Sequence, residues 1–126
     1  MGWKYDQSSG ELSHNGVVVA HGYSGAGAGK NNPAMEHVRA TGPIPRGHWK
    51  IRAPYNSNAV GPYVLPVWAV DGHLDDVHAG TGRSAFRIHG DSVRAPGTAS
   101  KGCIIVSRAV RHQIWQSGDR DLEVVA

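Results

Sequence analysis

The chain reads as one mainly-β domain with a single helix, and three observations lead there. Short runs rich in Val, Ile, Trp and Tyr alternate with clusters of turn residues along its whole length. Of 126 residues, 17 are Gly and 7 are Pro, so the chain reverses often. Only the stretch 108–116 combines helical apolar spacing with a cap before it and a stop after it. A length of 126 residues fits one core, so a single domain over 1–126 is expected. The 40% hydrophobic and 18% charged fractions permit packing and exclude a disordered chain.

Taken in order, strands are expected at 3–7 and 11–14. Asn15-Gly16 before Val17-Val18-Val19 then signals a type I′ hairpin, whose two central residues both need positive φ. The segment 25–33 is expected as a flexible surface loop, followed by a helical turn at 33–38 with Pro33 first. Gly42-Pro43-Ile44-Pro45-Arg46-Gly47 is a rigid turn into a strand at 48–52. A strand at 62–70 contains Pro66, which assigns it to an edge or a bulge. Residues 71–84 read as an exposed polar loop, 84–89 as a strand, and 91–101 as a loop ending at Gly102-Cys103. Ile104-Ile105-Val106 is a short buried run, and the helix follows, capped by Ser107 and stopped by Gly118. Leu122–Val125 closes as a last strand.

The net charge is +3, with 8 His in reserve at acid pH. Its basic residues are dispersed, so no nucleic-acid partner is expected. No apolar stretch approaches the ~18 residues of a membrane span, so no membrane insertion is expected. The first residues lack a basic region followed by an apolar run, which reads as no signal peptide, and Asp6 argues against myristoylation of Gly2. A single cysteine excludes an intramolecular disulfide and a Cys-rich zinc site.

Three places carry candidate chemistry. Residues 24–31 approach a phosphate loop, but Ser24 and Asn31 occupy positions that require Gly and Ser or Thr. Asp71–His78 is rich in metal-ligand types at no ligand spacing, so no metal and no cofactor are expected. The third place is stronger. His89-Gly90 ends a strand, and Ser100-Lys101-Gly102-Cys103 follows before the apolar run. Gly102 lets the backbone present a thiol, Lys101 favours a thiolate, and His89 is a base upstream of Cys103. Consecutive N–H groups at Gly102 and Cys103 suit an oxyanion. His112 is expected to face solvent with Arg108 and Arg111, away from Cys103. By itself, this pattern leaves a packed, inert Cys103 as the alternative.

Ile88-His89-Gly90 with Ser100-Lys101-Gly102-Cys103-Ile104 resembles the L,D-transpeptidase signature. With Gly22–Gly25, Gly29–Pro33, Gly42–Gly47, Arg108–Arg111 and Ser117–Arg120, most of the chain resembles the type VI secretion L,D-transpeptidase effector family. The resemblance implies a compact β-sandwich or barrel with one helix after the catalytic Cys loop. It implies Cys103 as nucleophile, His89 as base, the Gly90 carbonyl as its orienter, and Ser100 and Gly102 as supports. Lys101, Arg87, Asp91 and Tyr23 are the expected substrate-binding residues. Lys101 and Ile105 stand where the broad family has His and Arg; Arg108 and Arg87 are candidates to replace that Arg.

The implied substrate is the peptidoglycan stem tetrapeptide, and the implied reaction is trimming to a tripeptide or exchange of the terminal D-Ala. A monomer made in the bacterial cytoplasm, carried out by secretion machinery, acting in the target periplasm and neutralised by an immunity protein completes the expectation. A cysteine endopeptidase that cuts cross-links and a silent wall-binding or phage structural module are the alternatives.

Overall fold

A computed structural model describes residues 2–126; Met1, the first residue of the expected domain, lies outside the described residues. Eleven strands form: β1 (Trp3–Asp6), β2 (Glu11–His14), β3 (Val17–His21), β4 (Tyr23–Ser24), β5 (Gly47–Ile51), β6 (Tyr55–Ser57), β7 (Gly61–Val70), β8 (Leu74–Asp75), β9 (Arg87–His89), β10 (Ile104–Ile105) and β11 (Asp121–Val125). The helix α1 (Arg108–Gln116) lies between β10 and β11, and 3₁₀ turns occupy Gly27–Gly29 and Pro33–Met35. Alternation sets the buried faces: Trp3 and Tyr5 point inward around an exposed Lys4, and Leu122 and Val124 do the same on β11. These side chains join Trp49, Val67, Ile88, Ile104 and Ile114 in one core.

The hydrogen-bonded path is open and mixed, running β3-β2-β1-β11-β5-β7-β9-β10-β4, with β6 and β8 also paired to β7. Its two ends, β3 and β4, are consecutive in sequence with only Gly22 between them. The strand therefore leaves one part of the sheet and enters the other at a corner, as sandwiches and barrels do. Gly22 is required there: a Cβ would collide with the carbonyl of Ile105 on β10. The expected sandwich-like mainly-β architecture is thus closed by the chain, with no ladder between β3 and β4.

The hairpin turn forms as expected, with φ of 50° at Asn15 and 85° at Gly16. Pro66 departs from expectation, because β7 is central, between β5 and β9. It is accommodated because the neighbouring strand breaks there: β5 ends at Ile51 opposite Val67, and β6 resumes at Tyr55 opposite Val64. No ladder partner awaits an N–H at Pro66, and its carbonyl accepts from Arg52 N–H at 2.8 Å. The glycine loop at 25–33 is also packed, since Gly25 and Gly29 are buried against the Thr41 carbonyl. The helical turn after it is shorter than expected, ending at Met35.

Two charged residues expected at the surface are buried. Arg111 of α1 donates to the carbonyls of Val106 (2.6 Å), Tyr63 (2.9 Å) and Pro62 (3.3 Å), tying the helix to β7 and to the end of β10. Its neighbour His112 stacks on the Tyr63 ring with centroids 3.7 Å apart. Arg83, in the supposed polar loop, is 5% exposed and forms part of the site described below.

Glu36 anchors the segment before β5. Burial would raise its pKa, but hydrogen bonds from the Arg46 side chain, the Arg46 N–H and Gln7 outweigh that and hold it at about 2. Its folded pKa is depressed, so its stabilisation is complete above the ordinary value near 4.5 and is lost as pH falls toward 2. Denaturant unfolding across pH 2–6 is expected to show an acid loss of at most about 3 kcal/mol from this group, since Arg46 remains half exposed. The Glu36→Gln variant should lose that part of the pH dependence; an unchanged acid slope would contradict the assignment.

Candidate active site

β10 runs parallel to β9, with Ile104 opposite Ile88 and Ile105 opposite His89. Continued one residue toward the N-terminus, this register sets Cys103 beside Arg87, so the side chains of Cys103 and His89 share a face. Both line a cleft of about 600 Å³. His89 is 2% exposed, whereas Cys103 is half-buried.

The loop that presents Cys103 is held by two buried serines. Ser100 Oγ accepts from Gly25 N–H (2.8 Å) and Gly102 N–H (3.1 Å) and donates to the Cys103 carbonyl (2.6 Å). Ser24 Oγ donates to the Gly102 carbonyl (2.9 Å) and accepts from Ile44 N–H (2.8 Å). The loop is therefore fixed around Cys103 both by its own Ser100 turn and by bonds to the distant Gly25 and Ser24. One consequence departs from expectation: Gly102 N–H, one of the two amides expected to face an oxyanion, is engaged by Ser100 instead.

Arg83 lies behind this loop. Its guanidinium donates to the carbonyls of Glu36 (2.7 Å), Pro43 (2.8 Å), Gly42 (3.1 Å) and Lys101 (3.1 Å). It thereby fastens the 36–43 segment to the Cys loop. Gly102 has φ of 142°, and a Cβ there would run into this guanidinium and sit 3.0 Å from Phe86 Cε1. Ala85 and Ala40, both in the cleft wall, hold positive φ of 64° and 61°, a strained backbone of the kind found at functional sites.

The electrostatics favour a neutral resting pair. Burial pushes the Cys103 thiol above its ordinary value, partly opposed by the Arg87 N–H, which donates to the sulfur, and by the Arg87 and Arg83 charges. The sulfur also lies 3.9 Å from the Ala85 carbonyl. Burial lowers the His89 pKa; the Gly90 hydrogen bond opposes this, and Arg111 and Arg87 add to it. Nδ1 of His89 is 2.8 Å from the Gly90 carbonyl, which only accepts, so Nδ1 carries the proton and Nε2 is the basic nitrogen. A neutral imidazole and a neutral thiol on one face of the same cleft are the forms that general-base attack requires.

Of the expected substrate-binding residues, Lys101 and Arg87 line this cleft. Tyr23 and Asp91 do not. They line a separate cleft of about 340 Å³ and bind one another, Tyr23 Oη donating to Asp91 at 2.6 Å and accepting from Ala99 N–H at 2.9 Å. Burial and the Asp91 bond push the Tyr23 phenol up to about 12. Asp91 also accepts from Ser92 and Gly97 N–H groups, so this pair braces the 91–99 loop.

No His, Cys, Asp and Glu cluster suited to a metal occurs among the described residues, and His78 instead stacks on Trp49. Arg108 is exposed and donates to His112, away from Cys103. The cation buried close to Cys103 is Arg83, whose position in a polar-looking loop gave no signal. Arg39, which also lines the cleft, was equally silent, whereas Ser24 stood out only as a departure from a phosphate loop and as part of the Gly22–Gly25 motif.

Replacing Arg83 with Gln removes a cation that favours the thiolate, so the thiol pKa is expected to rise. The pH midpoint of iodoacetamide alkylation of Cys103 should move upward, slowing the reaction at neutral pH by up to about tenfold. Arg83→Lys should restore part of the shift. A folded Arg83→Gln protein with an unmoved midpoint would contradict the electrostatic role.

A family model described as the Tlde1 domain matches residues 19–125, from within β3 through β11, and so includes every residue of the cleft. No curated protein sequence matches the chain. Among solved structures, an L,D-transpeptidase from Xylanimonas cellulosilytica DSM 15894 is similar, with a TM-score of 0.52 and 20% identity, covering 98% of this chain and 59% of that one. The chain therefore spans about three-fifths of that neighbour, and the likeness is one of fold. On the match across residues 19–125, the chain belongs to the Tlde1 domain family, the type VI secretion L,D-transpeptidase effectors.

Proposed function

We propose that this chain is a cysteine enzyme that acts on peptidoglycan stem tetrapeptides, trimming them to tripeptides or exchanging their terminal D-Ala. The observation that carries the reading is the joint presentation of Cys103 and His89 by paired strands at one cleft, with His89 Nδ1 tied to Gly90. Membership of the effector family supports the wall as target and secretion into competitor cells as the route.

In the proposed cycle, His89 Nε2 takes the thiol proton as Cys103 Sγ attacks the diaminopimelate carbonyl next to D-Ala. A C–S bond forms, and the carbonyl electrons move onto oxygen, near the Cys103 N–H. Collapse breaks the C–N bond, and His89 gives its proton to the departing amine of D-Ala. The thioester is then opened by water, releasing the tripeptide, or by the amine of another D-amino acid, giving exchange. Gly102 serves by allowing the loop to lie against Arg83 and Phe86, and Ser100 by fixing the Cys103 carbonyl. Removing tetrapeptide donors deprives a wall of the substrate for further cross-links.

Mass analysis of tetrapeptide muropeptides should show loss of one alanine with the wild type and none with Cys103→Ala. His89→Ala should slow the loss by roughly 10²–10⁴-fold. Separation of cross-linked dimers without alanine release would favour an endopeptidase, and unchanged substrate with and without added D-Met would refute an acyl-transfer enzyme. The pH profile is a second check. His89 must be neutral to act and its pKa is depressed, so the acid limb of kcat/KM should lie below the ordinary 6.5. A limb above 6.5 would contradict a buried, neutral base.

A further inference from the structure

Four side chains in the wall of the Cys103 cleft are cations, Arg39, Arg83, Arg87 and Lys101, and none is Asp or Glu. The whole chain carries a net charge of only +3, so the rest of the protein is close to neutral and its positive charge is concentrated here. Ion pairs among the described residues join His14 to Asp119, His21 to Glu11, Arg46 to Glu36 and Lys50 to Asp121. Among the described residues, no carboxylate forms an ion pair with any of the four cleft cations.

Arg83 is occupied by main-chain carbonyls. The side chains of Arg39, Arg87 and Lys101 make no hydrogen bond among the described residues. They come from separate segments: the loop after the Pro33–Met35 turn, strand β9 and the Cys loop. Single unpaired surface cations are ordinary. Three lining one cleft whose wall holds no acid are different, because low-dielectric walls focus their field and favour an anion in the cleft.

We infer that Arg39, Arg87 and Lys101 form a rim that reads the free C-terminal carboxylate of the peptide lying against Cys103. This rests on the peptide-cleaving function proposed above. In a tetrapeptide cut before its last residue, the terminal carboxylate lies one residue beyond the attacked carbonyl, within about 4 Å of chain. An anion at that position falls inside the cleft that holds the nucleophile. A guanidinium and an ammonium that grip it add binding energy only for peptides ending there. The rim therefore makes the enzyme an exopeptidase, selective for uncapped stems. Arg39, which no sequence motif singles out, is a specificity residue of this rim.

The test uses three synthetic stem tetrapeptides: the free acid, its C-terminal amide, and a form amidated only on its side-chain carboxylates. Binding to Cys103→Ala is measured by calorimetry at low and high salt, and kcat/KM on the wild type. The C-terminal amide should bind about tenfold or more weakly, and the side-chain amide close to the parent. The preference should shrink at high salt, and Arg39→Gln/Lys101→Gln should bind the acid no better than the amide. Equal binding of acid and C-terminal amide would overturn the rim, whether or not both are cleaved. A loss that follows side-chain amidation instead would overturn the terminal assignment. Should Cys103→Ala prefer the acid while the wild type cleaves nothing, the rim would stand and the catalytic reading would fall.

Discussion

The parallel pairing of β10 with β9 is the constraint on which the site depends. Neither strand is long enough to hold itself, with three residues in β9 and two in β10. Their register is imposed from outside: β7 pairs β9 on one side and β4 pairs β10 on the other. β4 is in turn the continuation of β3 past the Gly22 corner, so the far end of the sheet path reaches the strand that follows Cys103. A shift of one residue between β9 and β10 would turn Cys103 and His89 to opposite faces. Ser24 on β4 and Ser100 before β10 lock the same register through the Gly102 and Cys103 carbonyls.

Around that pairing the charges are arranged in layers. Cys103 and His89 are buried enough to favour their neutral forms, while Arg83 and Arg87 oppose this at the sulfur. Arg111, on the other side of Gly90, depresses the imidazole and ties α1 to the end of β10. Each buried guanidinium is satisfied by main-chain carbonyls, which bind a cation without quenching its field as a carboxylate would. The site thus keeps positive charge close to the Cys103 sulfur.

Much of this was legible in the sequence because it was local. The Asn15-Gly16 turn, the Ser107 cap and the alternation in the first and last strands depend on neighbours along the chain. Cys103 and His89 were legible as a pattern, which the family resemblance turned into a candidate site. The rest depended on contacts distant in sequence. Pro66 looked like an edge marker, because nothing in its own segment announces that the next strand breaks opposite it. Arg83 and Arg111 looked solvated, because four and three carbonyls from elsewhere receive them. Tyr23 and Asp91, plausible as substrate contacts, bind each other 68 residues apart in the chain.

The central claim is that Cys103 carries the substrate as a thioester. Intact-protein mass spectrometry on samples acid-quenched during turnover of a stem tetrapeptide tests it most directly. The account predicts an adduct equal to the peptide less its terminal alanine, mapped to Cys103 and absent from Cys103→Ala. Substrate turnover with no such adduct even at the shortest quench times, or an adduct on any other residue, would contradict it.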